Sequence, residues 1–220
     1  MSEQIRYELI AWSTIQNLCL RLATLIQDSG FKPDMIVTIA RGGYVPARLL
    51  CDHLRIMDLT SIKIEHYLSL ANKEKQATIR YPLCIDIKNL RVLLVDDVND
   101  SGDTLALALE HLRSFQPAEV RTAVMHHKLV SHFTVDYYAA KVTRWRWLIY
   151  PWAVTEDVSS LLHQLSPLPA NLEQAQQQLN QQLGLHMSRK KLAPIYNQVK
   201  DGLIRCNSPS FVHPTTGIKP

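Results

Sequence analysis

The chain has 220 residues, 46% of them hydrophobic, enough for one domain of ordinary size plus a small appendage and a sizeable buried core. A formal net charge of +4 and a pI near 8.9 come without any run of about five or six Lys/Arg. No such run marks a nucleic-acid arm, and attraction for anions must be local. Met1 to Tyr7 is polar and carries Glu3, unlike a signal peptide, and no stretch of roughly 18 apolar residues occurs. The expectation is a soluble, cytoplasmic protein without membrane contact. Cys19, Cys51, Cys84 and Cys206 lie far apart with no C-x-x-C pair, which suggests reduced thiols and neither a zinc site nor a disulfide framework.

From Ala11 to Gln27, Ile15, Leu18, Leu22, Leu25 and Ile26 recur at helical spacing, and Ser29-Gly30 stops the helix. Met35 to Ala40 is a short β-rich apolar run. Arg41-Gly42-Gly43 makes a turn after it, and Val45, Leu49, Leu50 and Leu54 mark the next helix. Ser61 to Tyr67 alternates like a strand, whereas Ser69 to Tyr81 is polar and lysine-bearing and reads as a mobile loop. Arg91 to Val95 is a buried-strand run, Asp96 to Gly102 a polar turn, and Thr104 to Phe115 a helix carrying Leu105, Leu107, Ala108 and Leu112. Val120 to Met125 and Trp147 to Tyr150 supply further strands.

Strands alternating with helices predict an α/β fold, a parallel sheet flanked by helices, with ligands beyond the carboxyl ends of the strands. Both polar turns fall at that edge. After about Ser166 the composition shifts to Pro-Leu-Pro, a Gln-rich helix from Asn171 to Leu183, a basic patch Arg189-Lys190-Lys191 and a Pro/Ser/Thr tail. The expected division is therefore 1–165 for the main domain and 166–220 for a C-terminal helical appendage.

Asp96-Asp97-Val98-Asn99-Asp100-Ser101-Gly102-Asp103-Thr104 joins an acidic pair at a strand end to a small-residue turn at a helix start. The N–H groups of Ser101 to Thr104, the two hydroxyls and the positive helix end suit a phosphomonoester. Asp96 and Asp97 cannot bind phosphate directly, but they accept hydrogen bonds from sugar hydroxyls or reach Mg²⁺ through its water shell. Phosphate on one side and a diol on the other describe ribose 5-phosphate. Capping a helix is the common role of residues such as Asp100, Ser101 and Thr104, yet capping leaves Asp96-Asp97 unexplained. Two carboxylates directly after an apolar strand repel one another without structural gain.

The segment resembles the signature by which type I phosphoribosyltransferases bind phosphoribosyl pyrophosphate (PRPP). The resemblance implies that Asp96 and Asp97 hold the ribose hydroxyls and, through water, Mg²⁺. It implies too that Asp100, Ser101, Gly102, Asp103 and Thr104 surround the 5-phosphate, with Asp100 also the general acid/base. Ser101 stands where the family often has Thr. The family fold adds a small hood, which the loop Tyr67 to Leu83 would form, with Lys73, Lys75 and Arg80 neutralising pyrophosphate on closure.

Gly42-Gly43 by itself is equally a tight strand-to-helix turn with Pro46 in the first helical turn. Ala40-Arg41-Gly42-Gly43-Tyr44-Val45-Pro46, however, is similar to the pyrophosphate loop of bacterial and archaeal xanthine-guanine and related 6-oxopurine enzymes. That similarity implies a cis Ala40–Arg41 peptide, with Arg41 as the diphosphate's cationic partner. Lys128 follows a strand, and Trp147-Leu-Ile-Tyr-Pro151-Trp152 comes later. A tryptophan face stacks on a heterocycle and an ammonium donates to a carbonyl, but Trp145, Trp147 and Trp152 are also plausible core or dimer-contact aromatics. By the same resemblance Lys128 meets the 6-oxo group, Trp147 stacks on the purine, and Trp152 belongs to the base pocket. The chain departs at Ala153, where those enzymes often carry an acidic residue, and has Glu156 and Asp157 only later. Hypoxanthine thus stands beside guanine and xanthine as candidate base.

The implied reaction displaces pyrophosphate from PRPP by a ring nitrogen of the base in purine salvage, and the resemblance implies a homodimer. Two other readings stay open: a PRPP-sensing regulator that uses its basic tail on nucleic acid, which the low overall charge disfavours, and a transferase for another base.

Overall fold

The computed structural model of the protein describes residues 5–68 and 75–203. Along the chain the elements are β1 (Tyr7–Leu9), α1 (Trp12–Asp28), β2 (Met35–Ala40), α2 (Tyr44–Leu54), β3 (Leu59–Leu68), β4 (Lys75–Tyr81), β5 (Arg91–Asn99), α3 (Asp103–Arg113), β6 (Glu119–Lys128), β7 (Tyr137–Val142), β8 (Trp147–Ile149), α4 (Val154–Gln164), α5 (Leu172–Leu183) and α6 (Arg189–Lys200). They fall into two compact units, one of residues 11–145 and the other of 5–10 with 146–203.

In the unit of residues 11–145 a six-stranded sheet runs in the order β4-β3-β2-β5-β6-β7. All its pairings are parallel except β3 with β4. β2 and the first half of β5 are buried on both faces, which is why they read as unbroken apolar runs rather than alternating ones. One face is covered by α1 and α2, whose Leu22, Ile26, Leu50 and Cys51 pack with Ile36, Leu93 and Ala123. The other is covered by α3, with Leu105, Ala108 and Leu112 against Val37, Leu94 and Val124. The central strands end side by side, so β2, β5 and β6 deliver Arg41, Asp100 and Lys128 just past their carboxyl ends or at them.

Two segments differ from the sequence expectation. Residues 75–81 form a strand rather than a loop, because Ala77 and Ile79 alternate inward onto the sheet's core while Thr78 and Arg80 face out. Of the expected hood cations, Arg80 binds Glu65 at 2.9 Å, and Lys73 and the side chain of Lys75 lie outside the described residues. β5 also runs past the apolar stretch to Asn99, since Asp96, Val98 and Asn99 keep register with Val124, His126 and His127 of β6.

In the second unit β1 and β8 pair in parallel, Tyr7 opposite Trp147 and Leu9 opposite Ile149. Val158, Leu161 and Leu162 of α4 join Ala175 and Leu179 of α5 and Leu192, Ile195 and Tyr196 of α6 in a separate apolar core. α5 starts where Asn171 accepts the Gln174 N–H at 2.9 Å, and Gln174 Oε1 accepts the Ala170 N–H at 3.2 Å, a reciprocal cap. Gly184, at φ +63°, ends it in the left-handed conformation. Tyr196 donates its hydroxyl to Pro169 O at 2.8 Å, tying α6 to the segment before α5. The basic residues Arg189, Lys190 and Lys191 thus open a helix with a buried apolar face rather than a free tail. Among the described residues, no helix is long and apolar enough to cross a membrane.

Candidate active site

The apolar strand β2 delivers the chain to Ala40, and the Ala40–Arg41 peptide is cis. Two glycines follow because side chains have no room there. A Cβ on Gly42 would fall 2.6 Å from Asp97 Cγ, and one on Gly43 would fall 2.7 Å from Val95 O and 2.9 Å from Ile39 O. The turn is closed by Gly43 N–H donating to Ile39 O at 3.0 Å, and α2 starts from it. Arg41, Gly42 and Gly43 are thereby set beside the end of β5, the arrangement the sequence suggested.

Asp96 and Asp97 follow one another near the end of β5. Asp96 is buried, 8% exposed, and its Oδ1 accepts the Asp97 N–H at 2.9 Å. Burial, and secondarily the negative Asp97 beside it, push the Asp96 carboxyl well above the ordinary carboxylate range. Asp97 lies against Gly42.

The following turn ends at Gly102, whose φ of +107° favours glycine and whose missing Cβ admits Phe133 N and Ser131 Oγ, 2.9 and 3.0 Å from where that atom would be. No side chain caps α3 at Gly102. Ser101 Oγ lies 3.4 Å from Asp103 N. The helix's positive end is thus available to an anion. Ser101 Oγ donates to Asp103 Oδ2 at 2.7 Å, and His132 holds the other Asp103 oxygen at 3.3 Å. Thr104 Oγ1 meets His66 Nε2 of β3 at 2.9 Å. A cavity of about 190 Å³ is lined here by His66, Asp96, Asp97, Asp100, Ser101 and Thr104, among others. Asp96, Asp97 and the Asp100–Thr104 turn therefore share one concavity.

The turn is braced from behind by the segment after β6. Asn99, 1% exposed, donates through Nδ2 to Phe133 O at 2.7 Å and to His127 Nδ1 at 2.9 Å, and its Oδ1 accepts from Ser131 Oγ at 2.9 Å. His132 N–H donates to Ser101 O at 3.0 Å. These contacts join residues about 30 positions apart, so no local pattern in the sequence announced Asn99, Ser131 or His66. A buried Asn just before the turn was the available signal.

At the end of β6, Lys128 Nζ lies 2.7 Å from Asp100 Oδ2, with the Lys128 side chain 4% exposed and that of Asp100 42%. The other Asp100 oxygen accepts the indole N–H of Trp145 at 3.3 Å, and the ammonium sits 4.6 Å from the centre of the same indole ring. Lys128 and Asp100 are brought together, with Trp145 beside them. Trp147 opens β8 and Trp152 stacks on Tyr150, centroids 4.9 Å apart and planes 5° apart, both in the second unit. Ala153 starts α4 in that unit, with Glu156 and Asp157 in its first turn.

The arrangement offers a diol- and cation-seeking acidic pair, an anion-seeking helix end, and a carboxylate–ammonium pair with an indole beside it. Among the described residues, no group of three or more His, Cys, Asp or Glu is placed to hold a metal ion. Two carboxylates, one buried against its own charge, still suit a hydrated divalent cation whose remaining ligands come from a substrate.

Comparison with known proteins agrees with this geometry. Residues 10–157 match the model of the phosphoribosyl transferase domain family. Hypoxanthine-guanine phosphoribosyltransferase of Saccharomyces cerevisiae is 28% identical over 193 residues, covering 68% of this chain and 86% of that one. Xanthine-guanine phosphoribosyltransferase of Cereibacter sphaeroides is 28% identical over 161 residues, covering 69% and 92%. The crystal structure of a purine phosphoribosyltransferase from Pyrococcus horikoshii superposes with a TM-score of 0.60 at 28% identity, covering 67% of this chain and 94% of that one.

Proposed function

Because the chain belongs to the phosphoribosyl transferase domain family, we propose that it transfers ribose 5-phosphate from PRPP to a 6-oxopurine and releases pyrophosphate. The observation that carries this reading is the single cavity in which Asp96, Asp97 and the open end of α3 meet, with the Asp100–Lys128 pair at its margin. The carboxylates match the ribose diol and the helix end matches the 5-phosphate. Arg41 and the N–H group of Gly42, at the neighbouring strand end, match the diphosphate.

In the reaction the bond from C1 of the ribose to the diphosphate oxygen breaks, its electron pair leaving with the diphosphate. A ring nitrogen of the base forms the new bond to C1, and the imidazole proton of the purine passes to Asp100. The positive charge on the sugar ring in the transition state is akin to that in glycosyl transfer. Asp96 and Asp97 would hold Mg²⁺ through its water shell, and the cation would supply positive charge to offset that of the departing diphosphate.

Lys128 gives the base class. One of its three N–H groups is committed to Asp100, and the remaining donors suit the carbonyl at position 6 of hypoxanthine, guanine or xanthine. The amine of adenine would meet donors with donors. The relatives named above act on hypoxanthine, guanine or xanthine, which supports the same class. The test is pyrophosphate release from PRPP and Mg²⁺ with hypoxanthine, guanine, xanthine, adenine and uracil offered separately. Release with one or more 6-oxopurines and silence with adenine and uracil is expected. Silence with all five overturns the reading.

A further inference from the structure

Trp145 makes two different contacts on the same charged pair. Its indole N–H donates to Asp100 Oδ1 at 3.3 Å, and its ring faces the Lys128 ammonium at 4.6 Å. Lys128 closes the triangle on Asp100 Oδ2 at 2.7 Å. Trp145 is half-buried, belongs to no strand or helix, and joins none of the apolar cores.

Alone, the Asp100–Lys128 pair has one degree of freedom too many. The carboxylate, at the end of a turn and 42% exposed, can swing about its own bond while keeping Oδ2 on the ammonium, and Lys128 carries a flexible four-carbon stem. A second donor on Oδ1 fixes the carboxylate plane, and an aromatic face beside Nζ fixes where the ammonium's free N–H groups point. Both are groups whose direction matters if Asp100 receives a proton from the base and Lys128 donates to its carbonyl.

We propose that Trp145 is a positioning residue of the base site, the N–H aligning Asp100 and the ring aligning Lys128. The proposal rests on the transferase reading above. It separates the two halves of the side chain. Trp145→Phe keeps a ring face for Lys128 and deletes the N–H, so turnover falls about tenfold, the size of losing one hydrogen bond to a charged group, while KM for the base stays within about twofold. Trp145→Leu deletes both, so the same loss of turnover is joined by a rise of several-fold in KM for the base. KM for PRPP is unchanged in both variants, because the helix end and acidic pair are untouched.

The experiment is steady-state pyrophosphate release by the wild type and both variants, with base and PRPP varied in turn. The expected result is that split, with Phe rescuing the base KM that Leu loses. Wild-type turnover in Trp145→Phe, or KM for base and PRPP rising together by the same factor in Trp145→Leu, overturns the positioning role and leaves the transferase intact. A wild type silent with every base overturns the transferase and this role with it.

Discussion

The carboxylate of Asp97 rests on Gly42, so close that a Cβ on the glycine would fall 2.6 Å from Asp97 Cγ. The two residues come from different strand ends, and the absence of one side chain decides where the other lies. Gly42→Ala therefore forces Asp97 off its position. Gly42 has no positive φ that alanine would strain, so the cost falls on the site rather than on the backbone. PRPP affinity, measured by calorimetry, should drop about tenfold or more, corresponding to about 1.4 kcal/mol, while the thermal unfolding midpoint moves little. An unchanged affinity would show that Asp97 does not contact the ribose.

Asp100 and Lys128 depend on each other unequally. Lys128 is nearly enclosed, whereas Asp100 is substantially exposed. Asp100→Ala leaves a buried ammonium with only the Trp145 ring beside it, at a stability cost of about 1–2 kcal/mol, towards the lower end for a stranded charge because the vacated space admits water. Turnover should fall by about a hundredfold or more, the usual contribution of a general acid/base, with PRPP still bound. Unfolding curves and single-turnover rates check the two effects separately. Unaltered turnover would remove the proton-transfer role from Asp100.

Much of this site was legible because its chemistry is contiguous. Met35 to Gly43 and Arg91 to Thr104 each carry a strand, its end and the turn after it, and apolar runs on β2 and β5 placed both turns at one sheet edge. The cis peptide after Ala40, which the family resemblance implied, falls in the first of these segments, whereas the pairing of Lys128 with Asp100 joins the second to β6 and was not read from the sequence. What stayed hidden depends on contacts distant in sequence. Val98 and Asn99 look like turn residues until β6 is there to pair with them. β4 was hidden by its charges, since only Ala77 and Ile79 carry its apolar face. Trp145 was indistinguishable from its neighbours because its partners come from the ends of β5 and β6.

Asp96 costs the unliganded fold stability as pH rises. Its carboxyl titrates well above the ordinary range because of burial first and Asp97 second. A folded-state value above the unfolded one means that the group's stabilising contribution is fully present below the ordinary carboxylate range and is lost as pH rises through the folded value. At and above that value the protein without ligand carries a buried charge beside another. Asp96→Asn removes it. The unliganded variant should unfold at a higher temperature than wild type at mildly alkaline pH, with the difference shrinking on acidification, and should gain less thermal protection from PRPP with Mg²⁺. A midpoint lower than wild type across the whole pH range would contradict the burial argument.

The brace behind the Asp100–Gly102 turn is sensitive to acid through His127. Phe133 O can only accept, so the 2.7 Å contact identifies the Asn99 atom facing it as Nδ2, and the second N–H of that amide points at His127 Nδ1. His127 must then be an acceptor at Nδ1 and hence neutral. Burial, and after it the nearby Lys141, hold its pKa below the usual histidine value, and the ring stacks on Tyr138 at 5.3 Å. For a depressed pKa the stabilising contribution is present above the unfolded value of about 6.5 and is lost as pH falls through the folded one. Below that point a protonated ring would meet Asn99 donor to donor, loosening the turn that holds Ser101 and Gly102. His127→Gln, whose amide oxygen accepts at any pH, should narrow the loss of thermal stability between neutral and mildly acidic buffer, and the His127 ring resonances in wild type should titrate below the ordinary histidine range. If the ring titrates above that range, or if the variant loses as much stability on acidification as the wild type, the acceptor role assigned to His127 is wrong.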